Sequence, residues 1–242
     1  MRLHIYENKE KLAEEFAQWL CDIIESTLQN QEFFTLVLSG GSTPQILFKK
    51  LATPEFKEKI NWKRVHIFWG DERAVPFDDS RNNAAMAYDA LLRHINIPAT
   101  QVHKMRTDIE PVFAAKEYEK ILHHYFNYTN KSFDLVLLGV GDDGHTLSIF
   151  SGSSSIENEE HAWVSAVYNE AQKMYRITLT PLIVNRASNV AFMVTGSGKA
   201  NILKQIIEGN YTPSILPAQL IDPGNGELNW FLDEEASMNL KK

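Results

Sequence analysis

Three short apolar runs, each ending abruptly in glycine and polar residues, constrain the fold of this chain of 242 residues most. Continuous apolar runs are typical of strands that are covered on both faces, as in a parallel sheet between helices. Helical patterns separate the runs, and strands that alternate with helices predict an α/β fold. The runs and the segments after them are FFTLVL at 33–38 before SGGSTP, VHIFW at 65–69 before GDER, and LVLL at 135–138 before GVGDDGH.

The rest of the chain supplies helices and further strands. Apolar residues spaced three and four apart predict a helix over 9–28. A second helix follows SGGSTP, with Ser42 or Thr43 as its N-cap and Pro44 at its first position. We therefore expect one domain over residues 1–242, with a mainly parallel sheet and helices on both faces. The further predictions are an edge strand at 3–6, helices at 84–94 (capped by Asn82 or Asn83), 111–128 and 199–207, strands at 163–167, 175–180 and 190–195, a mobile loop at 151–160, and an extended piece at 215–221 before a polar tail that frays.

Charge and cysteine content exclude several classes of partner. The chain has 24 basic and 31 acidic residues, a net charge of -7. Nucleic acids and anionic membranes attract positive surfaces, so we expect neither as a partner. The single cysteine, Cys21, excludes an intramolecular disulfide, and its apolar helical surroundings predict a buried filler residue. The sequence shows no signal peptide and no membrane span, so a cytoplasmic location is the expectation.

The polar segments after the three runs predict the functional site. The carboxyl ends of parallel strands meet at one edge of a sheet, and ligands of open α/β sheets bind there. His145 stands at that edge, and histidine is well suited to proton transfer near neutral pH. A carboxylate from Asp143 or Asp71 would orient its ring, and the sequence leaves open which of the two does so.

The SGGSTP segment predicts an anion site. It brings the backbone of Gly40 and Gly41 and the hydroxyls of Ser42 and Thr43 to a helix N-terminus. Unpaired N–H groups and the positive end of the helix dipole suit a phosphate there. The segment lacks the Gly-Lys pair of a nucleotide P-loop, so ATP is not implied. A tight turn with an N-cap is the structural alternative.

Three cationic side chains are candidates for the same edge of the sheet. Arg73 and Arg176 suit bidentate recognition of phosphate or carboxylate, whereas Lys199 would act as a point charge. Each of them also fits a solvated surface position.

Two other uses of GVGDDGH fit its residues poorly. In a dinucleotide site, Asp142 and Asp143 would stand against a pyrophosphate of like charge. In a metal site, neighbouring aspartates and one histidine do not easily converge on one ion, and no spaced histidine pair accompanies them. No G-x-S-x-G elbow supplies a nucleophile for acyl transfer either. The sequence therefore predicts neither a nucleotide cofactor nor a metal.

Taken together, these segments resemble the 6-phosphogluconolactonase family, part of a wider group that holds glucosamine-6-phosphate deaminases. The resemblance runs in order through LVLSGGSTP, WGDERAVP, GVGDDGHT, RITLT, VTGSGKA and ILPAQL, over nearly the whole chain. It implies a Rossmann-like α/β fold, a phosphorylated sugar lactone as substrate and no cofactor. The implied reaction is hydrolysis of 6-phospho-D-glucono-1,5-lactone to 6-phosphogluconate in the oxidative pentose phosphate pathway.

The same resemblance implies roles for individual residues. His145 matches the general base, and Arg73 matches the arginine of the DER segment. Ser42 and Thr43 match the phosphate loop, while Arg176 and Lys199 match positions that face the sugar phosphate in the wider group.

Two segments depart from the family pattern. The family commonly reads GHTASLFPG where this chain has GHTLSIFSG, so Leu147 and Ser151 depart from the pattern. We interpret these two differences as changes in packing. A Lys-Pro-Pro run often precedes the RITLT strand, where this chain has YNEAQKMY. Lys173 is therefore given no role.

Two alternative functions follow from the wider group. A glucosamine-6-phosphate deaminase would use Asp71 as a base, but deaminases typically continue GHIAFNEP and carry DEY where this chain has GHTLSIF and DER. A non-catalytic sugar-phosphate sensor would bind without turnover, and such sensors are fused to DNA-binding modules that this sequence does not predict. The sequence does not indicate an oligomeric state.

Overall fold

The computed structural model describes residues 1–152 and 161–241. Two sheets account for the strands of these residues. The strands are β1 Arg2–Tyr6, β2 Phe34–Leu38, β3 Val65–Trp69, β4 Asp71–Arg73, β5 Leu135–Leu138, β6 Val164–Asn169, β7 Met174–Leu179, β8 Asn189–Val194 and β9 Glu227–Asp233. The larger sheet has the order β1-β9-β8-β5-β2-β3, and every neighbouring pair in it is parallel. The predicted α/β fold with a mainly parallel sheet is confirmed.

Helices cover both faces of the parallel sheet. They are α1 Lys9–Leu28, α2 Ser42–Leu51, α3 Pro54–Lys57, α4 Asn83–Ala90, α5 Pro111–Phe126, α6 Pro181–Val184, α7 Ala200–Glu208 and α8 Glu234–Ser237. Short 3-10 turns lie at 62–64, 92–94, 99–101, 197–199 and 217–220.

The strands divide their side chains between two apolar cores. Leu135 and Leu137 of β5 lie in one core, with the buried faces of α1, α2 and α4. Val136 and Leu138, which alternate with them, lie in the other core with α5, α6 and α7. Because successive residues of a strand point to opposite faces, a strand buried on both sides must be apolar throughout. This is the physical reason for the continuous apolar runs in the sequence.

A second, smaller sheet stands against one face of the parallel sheet. It has the order β4-β7-β6 and is antiparallel throughout. Ile177 and Leu179 of β7 are fully buried in the core that also holds α5. The sequence placed 163–167 and 175–180 in one mainly parallel sheet, and that part of the prediction is wrong. GDER was read as the end of a strand, whereas Asp71–Arg73 is itself strand β4.

The C-terminal prediction is also wrong. The segment predicted to fray contains β9, which lies inside the parallel sheet between β1 and β8. Trp230, Phe231 and Leu232 of this strand are at most 2% exposed. The segment predicted to be extended at 215–221 contains the 3-10 turn Pro217–Leu220 instead.

The start of α2 and the end of α4 differ from expectation in detail, whereas the predicted cap of α4 is confirmed. Gly41, with a φ of 112°, is the N-cap of α2, so Ser42 is its first residue and Pro44 its third. Asn82 caps α4 by accepting a hydrogen bond from the Ala85 N–H, and this helix ends at Ala90, before a 3-10 turn.

Two predictions have no structural test. Residues 153–160 of the predicted mobile loop lie outside the described residues. None of the described helices is long and apolar enough to cross a membrane, and the cytoplasmic location stays a prediction.

Candidate active site

A cavity of about 820 Å3 lies at the carboxyl ends of the central strands. Its walls come from the segments that follow β2, β3 and β5 and from the turn between β6 and β7. The predicted site residues that line it are Gly40, Asp71, Arg73, Asp143, His145 and Arg176. The parallel sheet thus brings together side chains that lie far apart in the sequence.

His145 is held in a tight loop that follows β5. The Gly141 N–H donates to the His145 carbonyl at 2.8 Å, and the Thr146 hydroxyl donates to the Gly139 carbonyl at 2.8 Å. Asp143 Oδ1 hydrogen-bonds His145 Nδ1 and also accepts from the His145 backbone N–H at 3.2 Å. Of the two aspartates that the sequence left open, Asp143 is the one that contacts the His145 ring.

Gly141 makes room for this pair. A Cβ at this position would lie 2.1 Å from His145 Nδ1 and 2.7 Å from Asp143 Oδ1. Such distances are far below van der Waals contact, so a side chain at Gly141 is incompatible with the observed ring position.

The environment of the pair favours an ionised aspartate. Partial burial alone would raise the pKa of Asp143, but the hydrogen bonds and charge of His145 outweigh it and hold that pKa below its ordinary value. The His145 side chain is 30% exposed, and its ring packs against Phe150 with centroids 4.9 Å apart. Among the described residues its other nitrogen, Nε2, has no hydrogen-bond partner. That nitrogen is free to act on a ligand.

One face of the β4–β7 pair carries the charged groups of the cavity wall formed by the antiparallel sheet. Asp71 pairs with Thr178 and Arg73 with Arg176 in the antiparallel register. Side chains two apart in a strand share a face, so Asp71, Arg73 and Arg176 point the same way. Two arginines directly opposite each other repel, and the binding of anionic groups to them relieves this repulsion.

Asp71 is buried in this wall and contacts Ser148 and Arg176 instead of His145. Its carboxylate accepts a hydrogen bond from the Ser148 hydroxyl at 2.6 Å and lies 3.7 Å from Arg176 Nη1. Asn83 Nδ2 donates to its backbone carbonyl at 3.0 Å. The Asp71 carboxylate therefore balances part of the arginine charge.

Arg176 is 5% exposed, and its Nε has no partner among the described residues. Burial lowers its pKa and the nearby Asp71 raises it again; arginine nonetheless stays protonated in proteins. Arg73 Nη1 donates to the Arg81 carbonyl at 2.6 Å, and its buried Nε is likewise unpaired among the described residues. Both guanidinium groups thus keep unused donors.

Sequence reasoning considered Asn83 only as a candidate helix cap, but Asn83 also lines the cavity. Glu72, on the opposite face of β4, accepts from the backbone N–H groups of Asn83 and Ala84 at 2.7 Å each. Burial raises the pKa of Glu72 to about 7, although these backbone donors act against the rise. The pair Asn82-Asn83 at a helix start could have indicated this position of Asn83. Because a helix needs only one cap, the second asparagine side chain is available for other contacts.

The remaining predicted residues lie outside the lining of the cavity. Gly41 and Ser42 are exposed at the start of α2. The Thr43 hydroxyl is 2.8 Å from that of Thr195. Lys199 Nζ pairs with the carboxylate of Asp142, whose side chain is 90% exposed. These groups stand at the same edge of the sheet, but the structure does not bring them to His145.

In residues 1–152 and 161–241, no group of three or more histidine, cysteine, aspartate or glutamate side chains is arranged to hold a metal ion. The absence of a metal and of a cofactor stays a prediction from the sequence.

Comparison with known proteins identifies the family. A family model described as glucosamine-6-phosphate isomerases/6-phosphogluconolactonase matches residues 7–230. The chain belongs to this family. Among its members, a 6-phosphogluconolactonase of Haemophilus influenzae is 38% identical over 94% of this chain and 93% of its own length. The 6-phosphogluconolactonase 3 of Arabidopsis thaliana, a chloroplast protein, is 35% identical over 99% of this chain and 75% of its own length.

Solved structures of the family share the fold. The 6-phosphogluconolactonase from Trypanosoma cruzi has a TM-score of 0.85 and 29% identity, covering 100% of this chain and 97% of its own. A monomeric glucosamine-6-phosphate deaminase has a TM-score of 0.83 at 18% identity, covering 99% of this chain and 100% of its own. The second likeness shows the fold alone.

Proposed function

We propose that this protein hydrolyses 6-phospho-D-glucono-1,5-lactone to 6-phosphogluconate, as a carboxylic ester hydrolase of the oxidative pentose phosphate pathway. The observation that carries the proposal is the Asp143–His145 pair in one cavity with the opposed Arg73 and Arg176. A general base beside an anion-binding wall suits a substrate that joins a hydrolysable ester to a phosphate. Curated relatives named 6-phosphogluconolactonase, 37–38% identical to this chain, support the choice of substrate.

His145 is the proposed general base. Nδ1 is engaged by Asp143, which leaves Nε2 to take a proton from the attacking water. The Asp143 carboxylate holds the ring and stabilises the imidazolium that forms. Positioned proton transfer of this kind contributes about 100-fold to 10,000-fold in rate.

The basic groups serve two anionic groups, the phosphate of the substrate and the oxyanion that forms during the reaction. Arg73, or backbone N–H groups beside it, stabilises the oxyanion of the tetrahedral intermediate. Arg176, with the start of α2 and Lys199, binds the 6-phosphate through charge-assisted hydrogen bonds. Anchoring the phosphate places the lactone carbonyl near His145, and such positioning lowers the barrier without any covalent intermediate.

The proposed step balances in atoms and protons. The water oxygen bonds to the carbonyl carbon as His145 Nε2 takes its proton. The bond from that carbon to the ring oxygen then breaks, and the protonated His145 returns a proton to this oxygen as it becomes a hydroxyl. The product is the open-chain acid, which ionises in water.

The test generates the lactone in situ by oxidising glucose 6-phosphate and follows its loss with and without the protein. We expect decay well above the spontaneous rate, and His145→Ala should lower kcat at least about 100-fold. His124→Ala, on the exposed side of α5, is the matched control and should keep wild-type kcat. A lactone decay rate that the wild-type protein leaves unchanged would overturn the proposal.

Two further measurements separate the alternatives named from the sequence. Release of ammonia from glucosamine 6-phosphate would indicate a deaminase. Tight binding of a sugar phosphate without turnover of the lactone would indicate a sensor.

A further inference from the structure

The turn between β6 and β7 forms part of the cavity wall. Asn169 of β6 pairs with Met174 of β7, so residues 170–173 make the turn. The Gln172 backbone N–H donates to Asn169 Oδ1 at 2.8 Å, and Lys173 has a φ of 50°. The backbone of Gln172 thus stabilises the turn, and its side chain takes no part in this contact.

That side chain contacts Arg176. Gln172 Oε1 accepts a hydrogen bond from Arg176 Nη2. Within the described part of the chain, this is the only hydrogen bond that the Arg176 guanidinium makes. Asp71, the nearby carboxylate, lies 3.7 Å from Nη1, which is beyond hydrogen-bond distance. The orientation of a buried guanidinium therefore depends on one neutral amide oxygen.

A neutral acceptor has a specific advantage at this place. A carboxylate at hydrogen-bond distance would fix the guanidinium equally well, but it would cancel the charge that attracts an anion. The amide oxygen fixes the guanidinium without adding a second negative charge to that of Asp71. Arg176 Nε, buried and unpaired among the described residues, remains available as a donor.

We propose that Gln172 is a positioning residue that holds Arg176 in the orientation in which it binds the phosphate group of the substrate. The inference rests on the proposed function, because it assigns that phosphate to Arg176. Gln172 acts through Arg176 and contributes to affinity for phosphorylated ligands. It takes no part in the proton transfer at His145.

Two substitutions at Gln172 separate the effect of losing the hydrogen bond from the effect of adding a negative charge. Gln172→Met keeps the length of the side chain and removes the acceptor. Gln172→Glu keeps the acceptor and adds a negative charge beside Arg176. Lys173→Met is the matched control, because Lys173 is exposed in the same turn and does not line the cavity.

The measurements are KM and kcat for the phosphorylated lactone and the Kd of 6-phosphogluconate from calorimetry. We expect Gln172→Met to raise KM and Kd about threefold to tenfold, the loss of one hydrogen bond, with kcat within about twofold. Gln172→Glu should raise both by more than tenfold, because it also offsets the charge of Arg176. Lys173→Met should leave both within about twofold, and D-glucono-1,5-lactone, which has no phosphate, should be turned over equally by all variants.

Each outcome decides between the two proposals. If wild type hydrolyses the lactone and Gln172→Met has the same KM and Kd, only the positioning role fails. Equal losses with the phosphorylated and the unphosphorylated lactone would indicate a purely structural residue and also overturn it. If wild type shows no hydrolysis but binds 6-phosphogluconate, the proposed function fails and the Kd values of the variants still decide the role of Gln172. Absence of both hydrolysis and binding overturns both proposals.

Discussion

Asp142 and Asp143 are neighbours in the sequence with different surroundings. Asp143 contacts the His145 ring, whereas Asp142 is largely exposed and pairs with Lys199. Consecutive carboxylates at a strand end can thus serve separate groups, and this makes them a matched pair for substitution.

We expect Asp143→Asn to lower kcat about 10-fold to 100-fold with little change in KM. The amide no longer stabilises an imidazolium, although it still fits beside the ring. Asp142→Asn should keep kcat within about twofold. Steady-state kinetics on the lactone measures both, and equal losses of kcat in the two variants would contradict the assigned role of Asp143.

Gly141 and Gly139 form a second matched pair in the same loop. Gly141→Ala places a methyl group at 2.1 Å from His145 Nδ1, so the ring must move. Because small displacements of a catalytic group are costly, we expect kcat to fall at least about tenfold. At Gly139, which also lines the cavity, a Cβ meets nothing within 4 Å, so Gly139→Ala should leave the His145 ring in place and lower kcat less than Gly141→Ala does. Kinetics together with thermal melting tests this, and a Gly141→Ala enzyme with wild-type kcat would show that the close approach is unimportant.

At the scale of elements, a cluster of polar rings joins β3 to α5 at the edge of the parallel sheet. Tyr125 Oη lies 2.8 Å from His66 Nδ1 and 3.0 Å from His103 Nε2, and the two nitrogens are 3.2 Å apart. Phe33 and Phe68 pack against these rings. The triangle of atoms is compatible with two neutral imidazoles, because one ring nitrogen can donate where the other accepts.

This cluster makes stability depend on pH. Burial, together with repulsion from His66 and His124, lowers the pKa of His103 to about 4. Burial also lowers the pKa of His66. The unfolded chain, with ordinary histidines, therefore binds protons first as the pH falls, and stability is lost between about pH 6.5 and pH 4.

The measurement is urea unfolding at pH 7 and pH 5. Wild type should lose stability at pH 5, and His103→Gln should lose less, because it removes one of the two imidazoles that resist protonation. Comparing the two proteins cancels the contribution of carboxylates elsewhere. An equal loss in His103→Gln would exclude this cluster as the source.

The elements that could be predicted from the sequence are those in which nearly every residue is apolar and buried. The runs that became β2, β3 and β5 are apolar except for Thr35 and His66, and residues of the polar segments after them line the cavity. Strand β9 escaped detection because Asn229 and Asp233 look like surface residues. Asn229 Oδ1 pairs with His4 Nε2 at 3.0 Å, and Asp233 accepts from the Gly196 N–H at 3.0 Å. Partners so distant in the sequence leave no local pattern.

The same limit applied to the site. The sequence placed His145, Asp143, Asp71, Arg73 and Arg176 at one edge of the sheet, and all five line the cavity. It could not divide the two aspartates between histidine and arginine, because that depends on which strand each side chain leaves. The pairing of β4 with β7 was unforeseen, and it is this pairing that sets Arg73 opposite Arg176.

At the scale of the whole molecule, the site joins the two sheets. The parallel sheet supplies the loop of His145, and the antiparallel sheet supplies the wall of Asp71 and the two arginines. Its geometry therefore depends on how the smaller sheet packs against α5 and the core beneath it. Changes in that core are expected to alter catalysis without touching the cavity.

The position of β9 has a consequence for how the protein is made. Among the described strands, β1 pairs only with β9, from Arg2 beside Asn229 to Tyr6 beside Asp233. A ribosome makes residues 2–6 long before residues 227–233. Strand β1 must therefore wait, without its partner, until β9 has been made. Contacts between such distant segments form slowly, and the larger sheet can close only after β9 has been added to the chain.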